Sequence, residues 1–237
     1  MDWTDYSGAL FDLDGVLTPT AVIHRKAWSE MFNSFLAEHP GARAYTDEDY
    51  FQFVDGKPRY DGVRAVLADR GIAIDEGSPD DPPQAQTICG LGNRKNDAFV
   101  EILSRDGIGP YPGSQRLVDW LAAQRIEMGV VSSSLNAEAV LRASGLRSRF
   151  DVVVDGVVAA AEGLAGKPAP DTYLRGAQLL GLEPSRCVVF EDAVSGVAAG
   201  AAGHFGLVVG VDRGVGRDRL LASGADIVVD DLKEVIK

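Results

Sequence analysis

The sequence is poor in the residues that cross-link chains or bind soft metals. Only two cysteines, Cys89 and Cys187, stand among 237 residues. Two thiols cannot make a disulfide framework. With no CxxC pair and no Cys/His ligand spacing, a structural zinc site is excluded too, and a cytoplasmic compartment is the expectation. Basic charge is also scarce: Lys and Arg number 23 against 35 Asp and Glu, a formal charge of −12. Such a balance repels polyanions, so neither nucleic acid nor an anionic membrane is an expected partner. The first residues carry Asp2, Asp5, Asp12 and Asp14 instead of the basic start of a signal peptide. No apolar run approaches the ~20 residues of a membrane helix.

What is present is a repeated unit of short apolar run, turn and amphipathic segment. The runs are Gly8 to Phe11, Met128 to Val131, Val152 to Val154, Cys187 to Phe190, Leu207 to Val209 and Ile227 to Val229. Each is short and nearly continuous, as in parallel strands buried on both faces. Helical spacing between them (Leu117, Val118, Leu121; Val140, Leu141; Tyr173, Leu174, Ala177, Leu180) predicts a doubly wound α/β sheet. The first run is exceptional, because no second strand follows it for about a hundred residues. Residues 20–105 read as helical instead. Ala27, Trp28, Met31, Phe32, Phe35 and Leu36 make one stripe, Tyr60, Val63, Val66 and Leu67 another, and Ala98, Phe99, Ile102 and Leu103 a third. Thr46 with Asp49 has capping-box spacing, and Gly77 to Pro83, with three prolines, reads as an exposed loop. The expected organisation is a core of residues 1–18 and 106–237 with a helical cap of residues 19–105. Ligands bind at the carboxyl ends of such strands, so the insert would serve as a lid.

Acidic residues gather at those strand ends. The first run ends Phe11-Asp12-Leu13-Asp14-Gly15, and alternation puts Asp12 and Asp14 on one side. A later run ends Phe190-Glu191-Asp192. Several carboxylates at neighbouring strand ends form a hard-oxygen site suited to Mg²⁺, although the first pair could equally cap a turn and the second a helix. Ser132, Ser133 and Ser134 follow the second run, where hydroxyls and N–H groups can hold a phosphate or simply cap a helix. Lys167 stands in Gly166-Lys167-Pro168-Ala169-Pro170, with proline restricting the backbone beside it.

In that order, Phe11-Asp-Leu-Asp-Gly-Val-Leu-Thr18, Ser132, Gly166-Lys-Pro-Ala-Pro-Asp171 and Glu191-Asp192 with Gly196 resemble the haloacid dehalogenase superfamily of phosphotransferases, and within it the β-phosphoglucomutase-like subfamily. The resemblance runs from Leu10 to about Leu232. It implies Asp12 as the nucleophile, forming an aspartyl phosphate, and Asp14 as general acid/base. It also implies Mg²⁺ on Asp12, the Asp14 carbonyl, Glu191 and Asp192, with Ser132 and Lys167 on the phosphoryl oxygens. Asp14 favours phosphoryl transfer over dehalogenation, whose enzymes generally lack an aspartate at that position. In the cap the resemblance implies Thr20 at a hinge and His24, Arg59 (in Gly56-Lys57-Pro58-Arg59) and Lys95 as substrate-binding residues, with Ser133 assisting. Pro19, Leu135 and a long segment from Val157 to Gly166 depart from the compared mutases and leave the sugar open.

The implied reaction is Mg²⁺-dependent phosphoryl transfer on a small phosphosugar. A mutase would convert β-glucose 1-phosphate to glucose 6-phosphate, with a glucose 1,6-bisphosphate primer. A sugar-phosphate phosphatase on the same core is the alternative, and a catalytically silent binding module a third. A monomer is expected, since no apolar stripe is left over.

Overall fold

The computed structural model describes residues 1–54 and 59–236. The segment Gly56-Lys57-Pro58, expected to precede Arg59 in a substrate loop, lies outside the described residues. The chain divides into two compact units, Met1–Thr20 with Ile108–Lys237, and Ala21–Gly107.

The first unit is built on β1 (Gly8–Phe11), β2 (Glu127–Val131), β3 (Val152–Val154), β4 (Cys187–Glu191), β5 (Leu207–Val211) and β6 (Ile227–Val229). All pairings are parallel, in the order β3-β2-β1-β4-β5-β6. β1 and most of β2, β4 and β5 are buried, which is why they read as continuous apolar runs without alternation. Aromatic rings fill the layer beside β1: Phe11 stacks on Phe190 at 4.7 Å and meets Phe150 edge-on at 5.9 Å. The chain leaves β1 toward β2 and β3 on one side and returns to β4 on the other. The crevice at that switch point lies beyond the carboxyl ends of β1 and β4, so Asp12 and Asp14 face Glu191 and Asp192 by topology alone.

The second unit is helical. Its elements are α1 (Thr20–Leu36, whose first residue belongs to the first unit), α2 (Asp47–Asp49) followed by a π-turn at Tyr50–Val54, α3 (Arg59–Asp69) and α4 (Ile88–Asp106). Trp28, Met31, Phe32, Phe35 and Leu36 of α1 pack with Val63, Val66 and Leu67 of α3 and with Ile88 and Leu91 of α4. The Thr46–Asp49 capping box forms in full. One expectation needs correction: the helical reading of residues 20–105 fails across 70–87, a longer irregular stretch than the Gly77–Pro83 loop. Gly71, at φ +65°, ends α3 in the left-handed region. The chain beyond it serves the start of α4 instead: the Ile88 and Cys89 N–H groups donate to the Asp75 and Glu76 carbonyls, and Thr87 Oγ1 accepts from Gly90 N–H.

Helices of the first unit are α5 (Pro112–Gln124), α6 (Ala137–Ala143), α7 (Gly156–Glu162), α8 (Asp171–Leu179), α9 (Val194–Ala202) and α10 (Arg217–Ala222). Within α8, Tyr173 and Ala177 are buried, but Leu174, placed by its spacing in the same stripe, is exposed. No helix among the described residues is long and apolar enough to cross a membrane.

Candidate active site

β1 delivers Asp12 directly: its N–H continues the ladder to the Phe190 carbonyl at 2.9 Å, and the residue is buried. The chain then folds tightly. Gly15 N–H donates to the Thr18 carbonyl, and the Leu17 and Thr18 N–H groups both donate to the Leu13 carbonyl. Gly15 sits at φ +88°, and a Cβ there would fall 1.9 Å from Asp192 Oδ2. The turn therefore needs glycine twice, for its backbone angle and for the carboxylate against it. Asp14, partly buried, accepts a hydrogen bond from Thr20, the first residue of α1.

Lys167 joins β1 to β4. Its Nζ donates to Asp12 Oδ1 at 2.6 Å, to Glu191 Oε1 at 2.5 Å and to the Val131 carbonyl at 3.1 Å. Glu191 is buried and held further: Tyr173 Oη donates to Oε1 at 3.2 Å and Ala193 N–H to Oε2 at 3.0 Å. The expected capping of α9 by Glu191-Asp192 thus reduces to this one Glu191 bond, just ahead of the helix. A Cβ on Gly196 would lie 1.7 Å from Glu191 Oε1, so the carboxylate rests on the bare backbone of α9. Ser132 is buried at the end of β2, its Oγ accepting from Ser134 N–H, while Ser133 is exposed.

The electrostatics are those of carboxylates short of positive charge. Burial pushes the Asp12 carboxyl up, with Lys167 pulling it back and Glu191 and Asp14 adding repulsion. Burial also pushes Asp192 well above the carboxylate range, reinforced by Glu191, Asp12 and Asp14. Burial alone would lower the Lys167 ammonium, but Asp12 and Glu191 outweigh it and hold it well above its ordinary value. Ligand atoms of Asp12, Glu191 and Asp192 lie within 4.8 Å of one another. A cluster of hard oxygens with unbalanced negative charge fits a divalent cation such as Mg²⁺.

In the helical unit, Lys95 is buried and donates from Nζ to His24 Nδ1 at 2.7 Å. The His24 ring stacks on Phe99 at 4.3 Å, and the Lys95 ammonium lies about 5 Å from both the Trp28 and Phe99 rings. Burial, then Lys95 and Arg59, hold His24 well below its ordinary pKa, in the neutral form that accepts from Lys95. Arg59 donates from Nη2 to Asn96 Oδ1 at 2.9 Å. The structure thus brings Asp12, Lys167, Glu191 and Asp192 together in one unit, and His24 with Lys95 in the other.

Two residues here were not singled out by the sequence. Tyr173 reads as one member of a core stripe, and only its place six residues after Lys167 hints at more. Arg213 has no local signal at all. It donates from Nε to the Gly15 carbonyl at 2.8 Å, from 198 positions away, and stacks on Tyr111 at 3.9 Å.

A family model described as haloacid dehalogenase-like hydrolase matches residues 6–204. The chain is 49% identical to the β-phosphoglucomutase of Mycobacterium bovis, over 96% of this chain and 90% of that one. It is 35% identical to the fructose-1-phosphate phosphatase YqaB of Escherichia coli, over 84% and 93%. Among solved structures, the β-phosphoglucomutase of Clostridium difficile superposes with a TM-score of 0.74 at 25% identity, covering 97% of this chain and 93% of the other. The family model spans most of the chain and a relative shares about half of its residues, so the chain belongs to the haloacid dehalogenase-like hydrolases, in their β-phosphoglucomutase-like branch.

Proposed function

We propose that this enzyme moves a phosphoryl group on a small phosphosugar by way of Asp12, as a β-phosphoglucomutase acting on β-glucose 1-phosphate. The observation that carries the reading is the lysine bridge: Lys167 bonds Asp12 and Glu191 at once, beside the carboxylate of Asp192. That arrangement holds a carboxylate nucleophile in place and keeps positive charge where phosphoryl charge shifts during transfer.

A carboxylate oxygen of Asp12 attacks phosphorus, the ester P–O bond breaks, and Asp14 gives its proton to the departing sugar oxygen. In the second half, Asp14 takes the proton from an attacking hydroxyl and the Asp12 carboxylate is regenerated. Thr20 orients Asp14 for both transfers through its hydrogen bond. Asp12, Glu191, Asp192 and the Asp14 carbonyl would hold Mg²⁺. When bound, the cation offsets the repulsion between Asp12 and an anionic substrate. Lys167 and Ser132 serve the phosphoryl oxygens, with the exposed Ser133 beside them. His24, Lys95 and Arg59 read the rest of the substrate. The neutral His24, fixed by Lys95, suits proton exchange with a sugar hydroxyl.

A mutase passes the phosphoryl group back to a sugar hydroxyl, whereas a phosphatase passes it to water. The resemblance to YqaB keeps the second outcome in view. The test is a paired assay on β-glucose 1-phosphate, with and without a glucose 1,6-bisphosphate primer, reading glucose 6-phosphate and inorganic phosphate. Primer-dependent glucose 6-phosphate is expected, lost on chelation, restored by Mg²⁺, and abolished in Asp12→Asn. Inorganic phosphate without glucose 6-phosphate assigns the phosphatase. Full turnover by Asp12→Asn overturns both.

A further inference from the structure

Lys167 carries three ammonium hydrogens, and three acceptors take them: Asp12 Oδ1, Glu191 Oε1 and the Val131 carbonyl. A phosphoryl oxygen arriving at this lysine therefore has to displace one. The three acceptors are not equally able to let go. Asp12 is the nucleophile of the reading above, on which this inference rests, and Lys167 must stay near it. Glu191 is the one with spare donors, since Tyr173 Oη already shares Oε1 and Ala193 N–H holds Oε2.

Tyr173 is fully buried. Phenylalanine would fill the same space, so the hydroxyl is what packing leaves unexplained. A phenol in a core needs a partner, and this one is aimed at a carboxylate that also bonds the lysine. The Tyr173 ring centre lies 4.8 Å from Lys167 Nζ, a cation–π contact that holds the ammonium in place whichever oxygens it bonds.

We propose that Tyr173 is a positioning residue: Lys167 passes one hydrogen bond from Glu191 to the phosphoryl oxygen, and the Tyr173 hydroxyl keeps Glu191 satisfied meanwhile. Without that hydroxyl, Lys167 could leave only by stripping a donor from a buried anion. Hydrogen bonds to charged groups of this kind correspond to about tenfold or more in an equilibrium constant.

The experiment uses the whole protein with Mg²⁺, comparing wild type with Tyr173→Phe. In the variant, affinity for inorganic phosphate and kcat/KM on para-nitrophenyl phosphate should both fall about tenfold. Circular dichroism should match wild type, and Mg²⁺ affinity should fall by less than phosphate affinity does, since Glu191 keeps its Ala193 donor; general damage to the fold would lower both alike. Wild-type values for both phosphate readouts overturn the proposal, as does an equal loss of Mg²⁺ affinity. A crystal structure of the wild type with Mg²⁺ and inorganic phosphate tests it without any variant. Lys167 Nζ should bond a phosphate oxygen with Tyr173 still on Glu191, and a lysine that keeps Glu191 overturns it. A wild type with no Mg²⁺-dependent turnover removes the phosphoryl-transfer reading and this inference with it. An active wild type matched by Tyr173→Phe removes this inference alone.

Discussion

At the scale of single residues, the site depends on side chains that are missing as much as on those present. Gly196 lets the Glu191 carboxylate lie on α9, and a methyl group there would occupy the position of Oε1. Glu191 would have to shift, and Lys167 and Tyr173 with it. Gly196→Ala should therefore cost ~1–3 kcal/mol in stability through overpacking. It should lower kcat/KM on para-nitrophenyl phosphate on the order of 100-fold, because small displacements of catalytic groups are costly. Ser195→Ala, one position earlier and exposed, should remain near wild type. A Gly196→Ala enzyme as active as Ser195→Ala would show that Glu191 can move without consequence. The acidic and lysine residues of this site were legible in the sequence because each sits in a short motif at a strand end or before a helix. Tyr173 and Arg213 were not. Tyr173 has a ring that any core accepts, and its hydroxyl's partner is supplied by β4. Arg213 meets Gly15 only through the strand order.

At the scale of elements, strands and long helices were legible from periodicity, but the chain from 70 to 87 was not. Local turns aside, it is held by donors from α4: the Ile88 and Cys89 N–H groups and the Asn93 and Arg94 side chains bond its carbonyls, and such bonds follow no local period. The same holds for the ion pairs around the short α2. Asp49 and Arg70 are each about 1% exposed at their side chains and bond at 2.6 Å, while Arg43 joins Asp49 from a side chain 56% exposed. Burial alone would raise the Asp49 carboxyl, but Arg70, Arg43 and Thr46 hold it well below the usual range. Removing one member of a buried pair leaves the other uncompensated. Asp49→Ala should thus lose ~3–5 kcal/mol, with the capping box lost as well. Arg43→Ala, at a solvated site, should lose far less. Denaturant unfolding of the two variants checks this, and equal losses would mean that the Arg70–Asp49 pair is no more important than its exposed neighbour.

At the scale of the whole molecule, a charge of −12 implies self-repulsion that eases as acid protonates carboxylates. His24 works in the opposite sense. Its ring faces the cations of Lys95 and Arg59 and the Phe99 ring, and burial and those charges keep its pKa well below the ~6.5 of an unfolded chain. Between the two values the unfolded state binds the extra proton, so folding stability is fully present above about pH 6.5 and is lost as pH falls toward the folded-state pKa. Protonation would set an imidazolium against the Lys95 ammonium and remove the acceptor that Lys95 now uses. His24→Gln, which keeps a polar group but cannot titrate, should flatten this part of the profile. Unfolding midpoints at pH 7.5 and 5.5 decide the matter: wild type should lose more stability than His24→Gln on acidification. Parallel losses would place the proton elsewhere and leave the neutral histidine, on which its proposed exchange with a sugar hydroxyl depends, without support.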